Sequence, residues 1–260
     1  MIKGPVSYAH ASFQNRTYRF FGDHHERNTN CDGKKMIDYI KSLGKVHVFL
    51  ETIFVPNPSD DDYKIINILN KMIHSRNISS LIEILPWFWE QKRIYPDFFH
   101  PLDIRRQTKH YNGVLFNKSD LYLPLNDPNE LFNYYIYNIG LFKKESYIQN
   151  FIQKARTTSY CSDKIDLYLQ EEWNKLYLNN DSWYNVNRKD NNARFYVVEF
   201  PALIMDAYAL YKMFQPEYTN VVCYVGHIHW SRYKRFLDYI KVPTKISLDI
   251  AGCVNTKLKF

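Results

Sequence analysis

Two Gly-x-x-His segments, near opposite ends of the chain, each follow a run of apolar and aromatic residues. The first is Gly22-Asp23-His24-His25, and the second is Gly226-His227-Ile228-His229. A short apolar run that ends in glycine is typical of a β-strand, so each histidine is expected at the edge of a sheet. Two imidazoles that meet at one edge are able to bind a divalent metal or to activate a water molecule. The two segments therefore predict a reactive site at a sheet edge.

Further polar residues follow predicted strands between these segments. Glu51 ends the apolar run 46–50, and Asp103 and Arg105 alternate with apolar residues within the run 98–106. Such groups must be solvated, paired or bound to a ligand, because burying them alone is costly. Two imidazoles and a carboxylate form a common ligand set for a divalent metal, which lowers the pKa of its bound water towards about 7. An arginine nearby would stabilise a developing oxyanion.

One histidine of each segment is predicted to face the site, because adjacent side chains diverge on an extended chain. The Gly-x-x-His register selects the last histidine of each segment. The predicted catalytic residues are His25, Glu51, Arg105 and His229. The predicted ligands of a divalent metal (manganese, cobalt or zinc) are His25, Glu51 and His229. The residues predicted to lie around this set are Asp23, His24, Asp103 and His227.

Each of these residues also has an ordinary structural interpretation. A histidine after a strand is more often a hydrogen-bonded turn residue than a ligand. We favour function for His25 and His229, because their register and flanking strands agree with the position of Glu51. Glu51 taken alone also fits a helix cap or a surface carboxylate. Asp103 and Arg105 also fit a structural ion pair with each other.

Strand-like and helical patterns alternate along the chain, which predicts an α/β fold with a mixed central β-sheet flanked by helices. The strand-like runs are 17–22, 46–50, 98–106, 194–200, 221–225 and 244–250. The first helical pattern lies between Asp32, a possible N-cap, and Gly44, a plausible stop. Further helical patterns cover 62–75, 202–214 and 231–240. Residues 81–85 fit either a short strand or a helical turn. We predict one domain over 1–260, with a mostly helical insertion or cap at 111–190.

The composition narrows the class of protein. Hydrophobic residues make up 45% of the 260 residues, which is enough for one sizeable core. The net charge of +7 favours acidic partners such as nucleic acid, although the sequence contains no nucleic-acid-binding motif. No apolar run approaches the roughly 20 residues that span a bilayer, and residues 1–18 contain no segment of signal-peptide type. The four cysteines lack CxxC spacing and are predicted to be reduced thiols, so we expect a cytoplasmic or other intracellular protein.

The ordered set of Gly22-Asp23-His24-His25, Glu51, Arg105 and Gly226-His227-Ile228-His229 resembles the TIKI/TraB/erythromycin-esterase/ChaN superfamily. That superfamily has two Gly-x-x-His motifs, a glutamate and an arginine in this order. The resemblance covers residues 17–55, 98–107 and 195–235. It implies a mixed α/β fold and hydrolysis of peptide or ester bonds, either with a metal or with histidine as the base.

Two alternatives remain open at this point. Gly226-His227-Ile228-His229 is also similar to the terminal motif of calcineurin-like metallophosphoesterases, but their upstream Asp-x-His and Gly-Asp-x-x-Asp motifs are missing. The chain is alternatively a non-enzymatic structural protein on a hydrolase-like fold. Its frequent Tyr, Asn, Ile and Lys residues suggest an A/T-rich coding genome of the kind found in large DNA viruses. Under this alternative, we expect the protein to be a component of a virus particle.

Overall fold

A computed structural model describes residues 1–23, 32–53, 59, 63, 80–104, 146–183, 200–248 and 253–257. Helices and a mixed β-sheet combine in these residues, which confirms the predicted α/β fold. The chain divides into two compact units, of which the first is Met1–Asp103 with Glu217–Phe260 and the second is Ile104–Pro216. The single domain with an insertion at 111–190 stays a prediction.

The described residues form the following strands and helices, in chain order. The strands are β1 (Ile2–Lys3), β2 (Ser7–Phe13), β3 (Arg16–Asp23), β4 (Lys34–Lys35), β5 (His47–Ile53), β6 (Phe99–Asp103), β7 (Asn220–Gly226), β8 (Thr244–Leu248) and β9 (Cys253–Val254). The helices are α1 (Met36–Ser42), α2 (Ser80–Ile94), α3 (Ser146–Thr158), α4 (Ser162–Trp183), α5 (Phe200–Met213) and α6 (His227–Tyr239).

The main sheet has six strands in the order β6-β5-β7-β3-β2-β8. Strands β6, β5, β7 and β3 are mutually parallel, while β2 is antiparallel to both β3 and β8. The apolar strand β7 lies inside the sheet, as a fully buried sequence predicts. The four parallel strands direct their carboxyl ends to one edge, which in α/β sheets is the usual side for ligands.

Side-chain alternation gives this sheet two different faces. One face carries Phe21, Leu50 and Tyr224, which pack in a core with buried residues of α1 and α2. The opposite face carries Phe20, whose ring contacts Tyr233 of α6 at 5.8 Å between centroids. Helix α6 therefore covers the face on which Phe20 lies.

Several element ends differ from the predicted ones. Asp32 does not cap α1, because the chain stays extended through β4 to pair with β1, and Lys35 becomes the N-cap residue. Gly44 does end this helix, with a left-handed φ of +72° that glycine adopts easily. The segment 81–85 belongs to a helix, α2, rather than to a strand. Helix α6 begins at His227, four residues before the predicted start.

The predicted reduced state of the cysteines is wrong for Cys253, which is disulfide-bonded. Cys161 and Cys223 are buried free thiols, so the partner of Cys253 lies outside the described residues. Cys253 belongs to a small sheet in which β9 and β4 flank β1. Because disulfides persist mainly in oxidising compartments, the cysteines no longer support an intracellular location. Of the helices that the structure describes, none combines the length and apolar character needed to cross a membrane.

Within the second unit, a carboxylate at the centre of three helices joins them. Arg156 of α3 binds Asp166 of α4 through two nitrogens, with Nη2 at 2.6 Å from Oδ2. The hydroxyl of Tyr211, on α5, also donates to this carboxylate. Bidentate pairing of this kind fixes geometry as well as charge, so Asp166 sets the relative positions of α3, α4 and α5.

His10 on β2 is predicted to make the protein less stable in acid. Burial, and then the cations Arg19 and Lys245 on the neighbouring strands, lower the pKa of this imidazole. The unfolded chain therefore binds a proton at His10 more readily than the folded protein does. The contribution of His10 to the free energy of unfolding is complete above about pH 6.5 and falls as the pH drops below this value. The free energy of unfolding in urea, compared at pH 7.5 and pH 5.5, should change less for His10→Gln than for the wild type. An equal change in both proteins would contradict this assignment.

Candidate active site

Glu51 lies at the carboxyl edge of the sheet, on the face that α6 covers. It alternates with Leu50, which belongs to the core on the other face. Its Oε2 atom accepts a hydrogen bond from the backbone N–H of Gly226 at 2.6 Å. Because Gly226 is the N-cap residue of α6, the carboxylate also lies at the positive end of this helix. Glu51 therefore also caps the start of α6, which is the helix-cap role that its sequence position fits.

His229 meets the same carboxylate from the first turn of α6. Its Nε2 atom lies 3.5 Å from Glu51 Oε1, and the side chains of His229 and Glu51 are only 8% and 16% exposed. This is an ion-pair distance, somewhat longer than a hydrogen bond. Catalytic hydrogen bonds often tighten only when substrate binds, so the separation is compatible with a working carboxylate–imidazole pair. The structure thus brings together two of the predicted site residues.

His227 takes a different direction, because residues two apart on a helix point away from each other. Its Nδ1 atom lies 2.9 Å from Ser7 Oγ, and its ring stacks on Trp230 at 5.2 Å between centroids. Trp230 in turn donates from Nε1 to the carbonyl oxygen of Phe20 at 3.1 Å. The strand register used in the sequence analysis does not apply to these histidines, because the chain is helical from His227 onwards.

Gly22 allows α6 to lie directly against the sheet. A Cβ atom at this position would lie 2.3 Å from Ser7 Oγ and 2.8 Å from Trp230 Cβ. Real Cβ atoms do not approach other atoms so closely, and Ser7 is itself fully buried as the cross-strand neighbour of Gly22. Gly22 therefore permits the contact that positions the first turn of α6 and, with it, His229.

The remaining predicted residues are not part of this pair. Asp23 is buried opposite Gly226 at the end of β3, and alternation places it with Phe21 on the core face. Asp103 is buried at the end of β6, and alternation places it on that same face. The other predicted residues lie outside the described residues: His24, His25 and Arg105.

Sequence reasoning missed Ser7, which holds the Nδ1 side of His227. Ser7 begins β2, and nothing near it in the sequence resembles a motif. Its role depends on the antiparallel pairing that places it beside Gly22, and on α6 crossing both strands. A hairpin between residues 7 and 23, aligned by its turn, is the one sequence signal that would have placed Ser7 at this edge.

A second pair of histidines lies at the start of β5 and β6, at the opposite edge of the sheet. His47 Nδ1 is 3.3 Å from His100 Nε2, while the ring centroids are 5.6 Å apart and the planes differ by 22°. The two nitrogens therefore lie close to the line that joins the ring centroids and face each other, which is the geometry of an N–H···N hydrogen bond.

The Glu51–His229 pair is compatible with a metal ion as well as with a hydrogen bond. Two ligand atoms at about 2.1 Å from one tetrahedral zinc lie about 3.4 Å apart, close to the 3.5 Å between Nε2 and Oε1. Among the described residues, no three His, Cys, Asp or Glu side chains form a group that could hold a metal.

Comparison with protein-family models, curated proteins and solved structures gives no match for this chain.

Proposed function

We propose that this protein hydrolyses ester or peptide bonds, with a water molecule activated at Glu51 and His229. The observation that carries the proposal is their carboxylate–imidazole pair, with 3.5 Å between Oε1 and Nε2, at the carboxyl edge of four parallel strands. Ligands of α/β sheets bind outside this edge. A carboxylate beside a histidine is the arrangement that general-base catalysis uses.

In the proposed reaction, Glu51 keeps the proton of His229 on Nε2, the atom that faces Oε1. The Nδ1 atom then carries the lone pair and removes a proton from water as the oxygen attacks the carbonyl carbon. The same proton passes from Nδ1 to the leaving oxygen or nitrogen when the tetrahedral intermediate breaks down. Glu51 remains ionised throughout, supported by the N–H of Gly226 on its other oxygen.

A divalent metal is the second form of the proposal. Glu51 and His229 would hold it, with His25 as the third ligand that the sequence predicts. When bound, the metal would lower the pKa of a coordinated water molecule. Arg105 is the proposed stabiliser of the oxyanion in both forms. These assignments agree with what the resemblance to the TIKI/TraB/erythromycin-esterase/ChaN superfamily implies, and membership of that superfamily is part of the proposal.

A panel of chromogenic substrates tests the reaction class. We expect the purified chain to release p-nitrophenol from acetate and butyrate esters, or p-nitroaniline from peptide anilides, faster than buffer does. p-Nitrophenyl phosphate belongs in the same panel, because its preferential hydrolysis would favour a metallophosphoesterase instead. The variant His229→Gln, purified in parallel, excludes a contaminating esterase. A wild-type rate equal to the buffer rate on the whole panel would contradict the proposal.

A chelator distinguishes the two forms of the mechanism. Activity that EDTA removes, and that manganese, cobalt or zinc restores, would assign the activated water to a bound metal. Full activity after dialysis against EDTA would assign proton removal to His229 alone. Metal content of the purified protein, measured by atomic emission, provides an independent reading of the same question.

A further inference from the structure

Two cationic residues, with a histidine between them, lie side by side on one face of three adjacent strands. In the antiparallel register, His10 of β2 is directly opposite Arg19 of β3 on one side and Lys245 of β8 on the other. All three side chains are half-buried, so each is packed in part and reaches solvent in part. We call Lys245, His10 and Arg19 the cationic row.

The polar groups that contact Arg19 are neutral. Its Nη1 atom donates to Asn220 Oδ1 at 2.5 Å, and the hydroxyl of Tyr8 is also a hydrogen-bond neighbour. Burial raises the pKa of Tyr8, so this hydroxyl stays protonated and uncharged. Within the described part of the chain, Arg19 forms no ion pair with a carboxylate. The positive charge of the guanidinium is therefore solvated by dipoles and is not cancelled there.

Burial lowers the pKa of the His10 imidazole, and the two cations Arg19 and Lys245 lower it further. A proton on His10 would place like charges directly opposite each other on neighbouring strands, which is destabilising. A lysine on an edge strand can be explained by protection against aggregation, because it discourages pairing with other chains. That explanation covers Lys245 on β8 but not Arg19, which lies on the inner strand β3.

The spacing of the row suits a small polyanion. Neighbouring strands are about 4.8 Å apart, so the backbones that carry Lys245 and Arg19 are about 10 Å apart. Arg19 Nη1 lies at Asn220 of β7 in the structure, and its side chain is long enough to turn towards Lys245 above His10 when a ligand binds. Arginine offers two parallel N–H groups to phosphate oxygens, lysine adds a compact point charge, and an imidazole N–H can complete the contact.

We propose that the cationic row is a binding site for phosphate groups. The phosphate is carried either by a small phosphorylated compound or by a nucleic-acid backbone, because both present the same oxygens to the row. This site is separate from the proposed hydrolytic pair: it lies on the face of Tyr8 and Phe21, whereas Glu51 and His229 lie on the face that α6 covers.

Two probes distinguish the two sources of phosphate. Pyrophosphate binding is measured by isothermal titration calorimetry, and a fluorescein-labelled oligothymidylate of ten nucleotides is measured by fluorescence anisotropy. Pyrophosphate binding alone identifies a small phosphorylated ligand, and tight oligonucleotide binding identifies a nucleic-acid backbone. Either result supports the site when Arg19→Gln and Lys245→Gln each weaken binding about tenfold. For the oligonucleotide, each variant should also lower the salt dependence, by about 0.7 in log–log slope.

The matched control is Arg235→Gln, which removes the same charge from an exposed position on α6. This control should bind both probes like the wild type. If Arg19→Gln does not fold, Lys245→Gln on the edge strand β8 carries the test. Binding of neither probe to the wild type would overturn the proposal, as would an equal effect of Arg235→Gln and the two row variants.

Discussion

Replacement of Glu51 by alanine is expected to lower both the stability of the protein and its rate of hydrolysis, whereas Glu51→Gln is expected to lower the rate of hydrolysis alone. The alanine variant removes the acceptor of the Gly226 N–H and the partner of His229. Loss of a hydrogen bond to a charged group that is largely buried lowers the free energy of unfolding by about 2–3 kcal/mol. Urea unfolding curves of the two variants and the wild type measure this difference.

Glutamine separates the two roles of Glu51. Its amide oxygen still accepts the N–H of Gly226, so we expect a free energy of unfolding within about 1 kcal/mol of the wild type. Its amide nitrogen would instead face His229 Nε2, donate to it and favour the wrong tautomer for proton removal at Nδ1. The rate of hydrolysis should therefore fall by a factor of about 100 to 10,000.

The control for this pair of variants is Glu90→Gln, which makes the same chemical change at an exposed carboxylate of α2. It should retain both stability and activity. A Glu51→Gln protein with the wild-type rate would show that Glu51 acts only as a cap of α6. In that case the carboxylate of Glu51 would have no part in the proposed proton transfer by His229.

Gly22→Ala is expected to lower the free energy of unfolding by about 3 kcal/mol, at the upper end of the range for overpacked positions. The added methyl group meets Ser7 Oγ and Trp230 Cβ at 2.3 and 2.8 Å, and neither the fully buried serine nor a Cβ atom can move away easily. Relief requires a shift of α6 away from β3. That shift would also move His229, so we expect hydrolysis to fall together with stability.

Gly44→Ala is the matched control, because a Cβ at position 44 meets nothing within 4 Å but the backbone is left-handed. Its cost of about 1 kcal/mol comes from the backbone, so asparagine at 44 should restore part of the stability. Asparagine at 22 should be no better than alanine. Ser7→Ala combined with Gly22→Ala removes the shorter contact and should recover part of the loss. A Gly22→Ala protein as stable as the wild type would contradict the described packing of α6.

The strand ends of the site were predictable from local sequence. The apolar runs before Glu51 and Gly226 identify β5 and β7, and parallel strands bring their carboxyl ends to one edge. The start of α6 was not predictable in the same way, because Gly226 fits the end of a strand and the N-cap of a helix equally well. The direction of each histidine depends on which of the two applies.

Long-range packing explains the rest of what the sequence did not reveal. Ser7 approaches His227 across 220 residues of sequence, through strand pairing and helix docking that no local pattern encodes. The predicted cap of α1 is wrong for a similar reason, since pairing of β4 with β1 keeps Lys34 and Lys35 extended. Local propensity decides the elements, but tertiary contacts decide where each one begins.

The most direct test of the Glu51–His229 pair is the rate of ester hydrolysis by His229→Gln, measured beside His47→Gln. The second variant makes the same substitution at the start of β5, at the opposite edge of the sheet. Urea unfolding of both proteins establishes that they are folded. We expect the His229→Gln rate to fall to that of buffer, while the His47→Gln rate stays near that of the wild type. A folded His229→Gln protein with the wild-type rate would contradict the proposed active site.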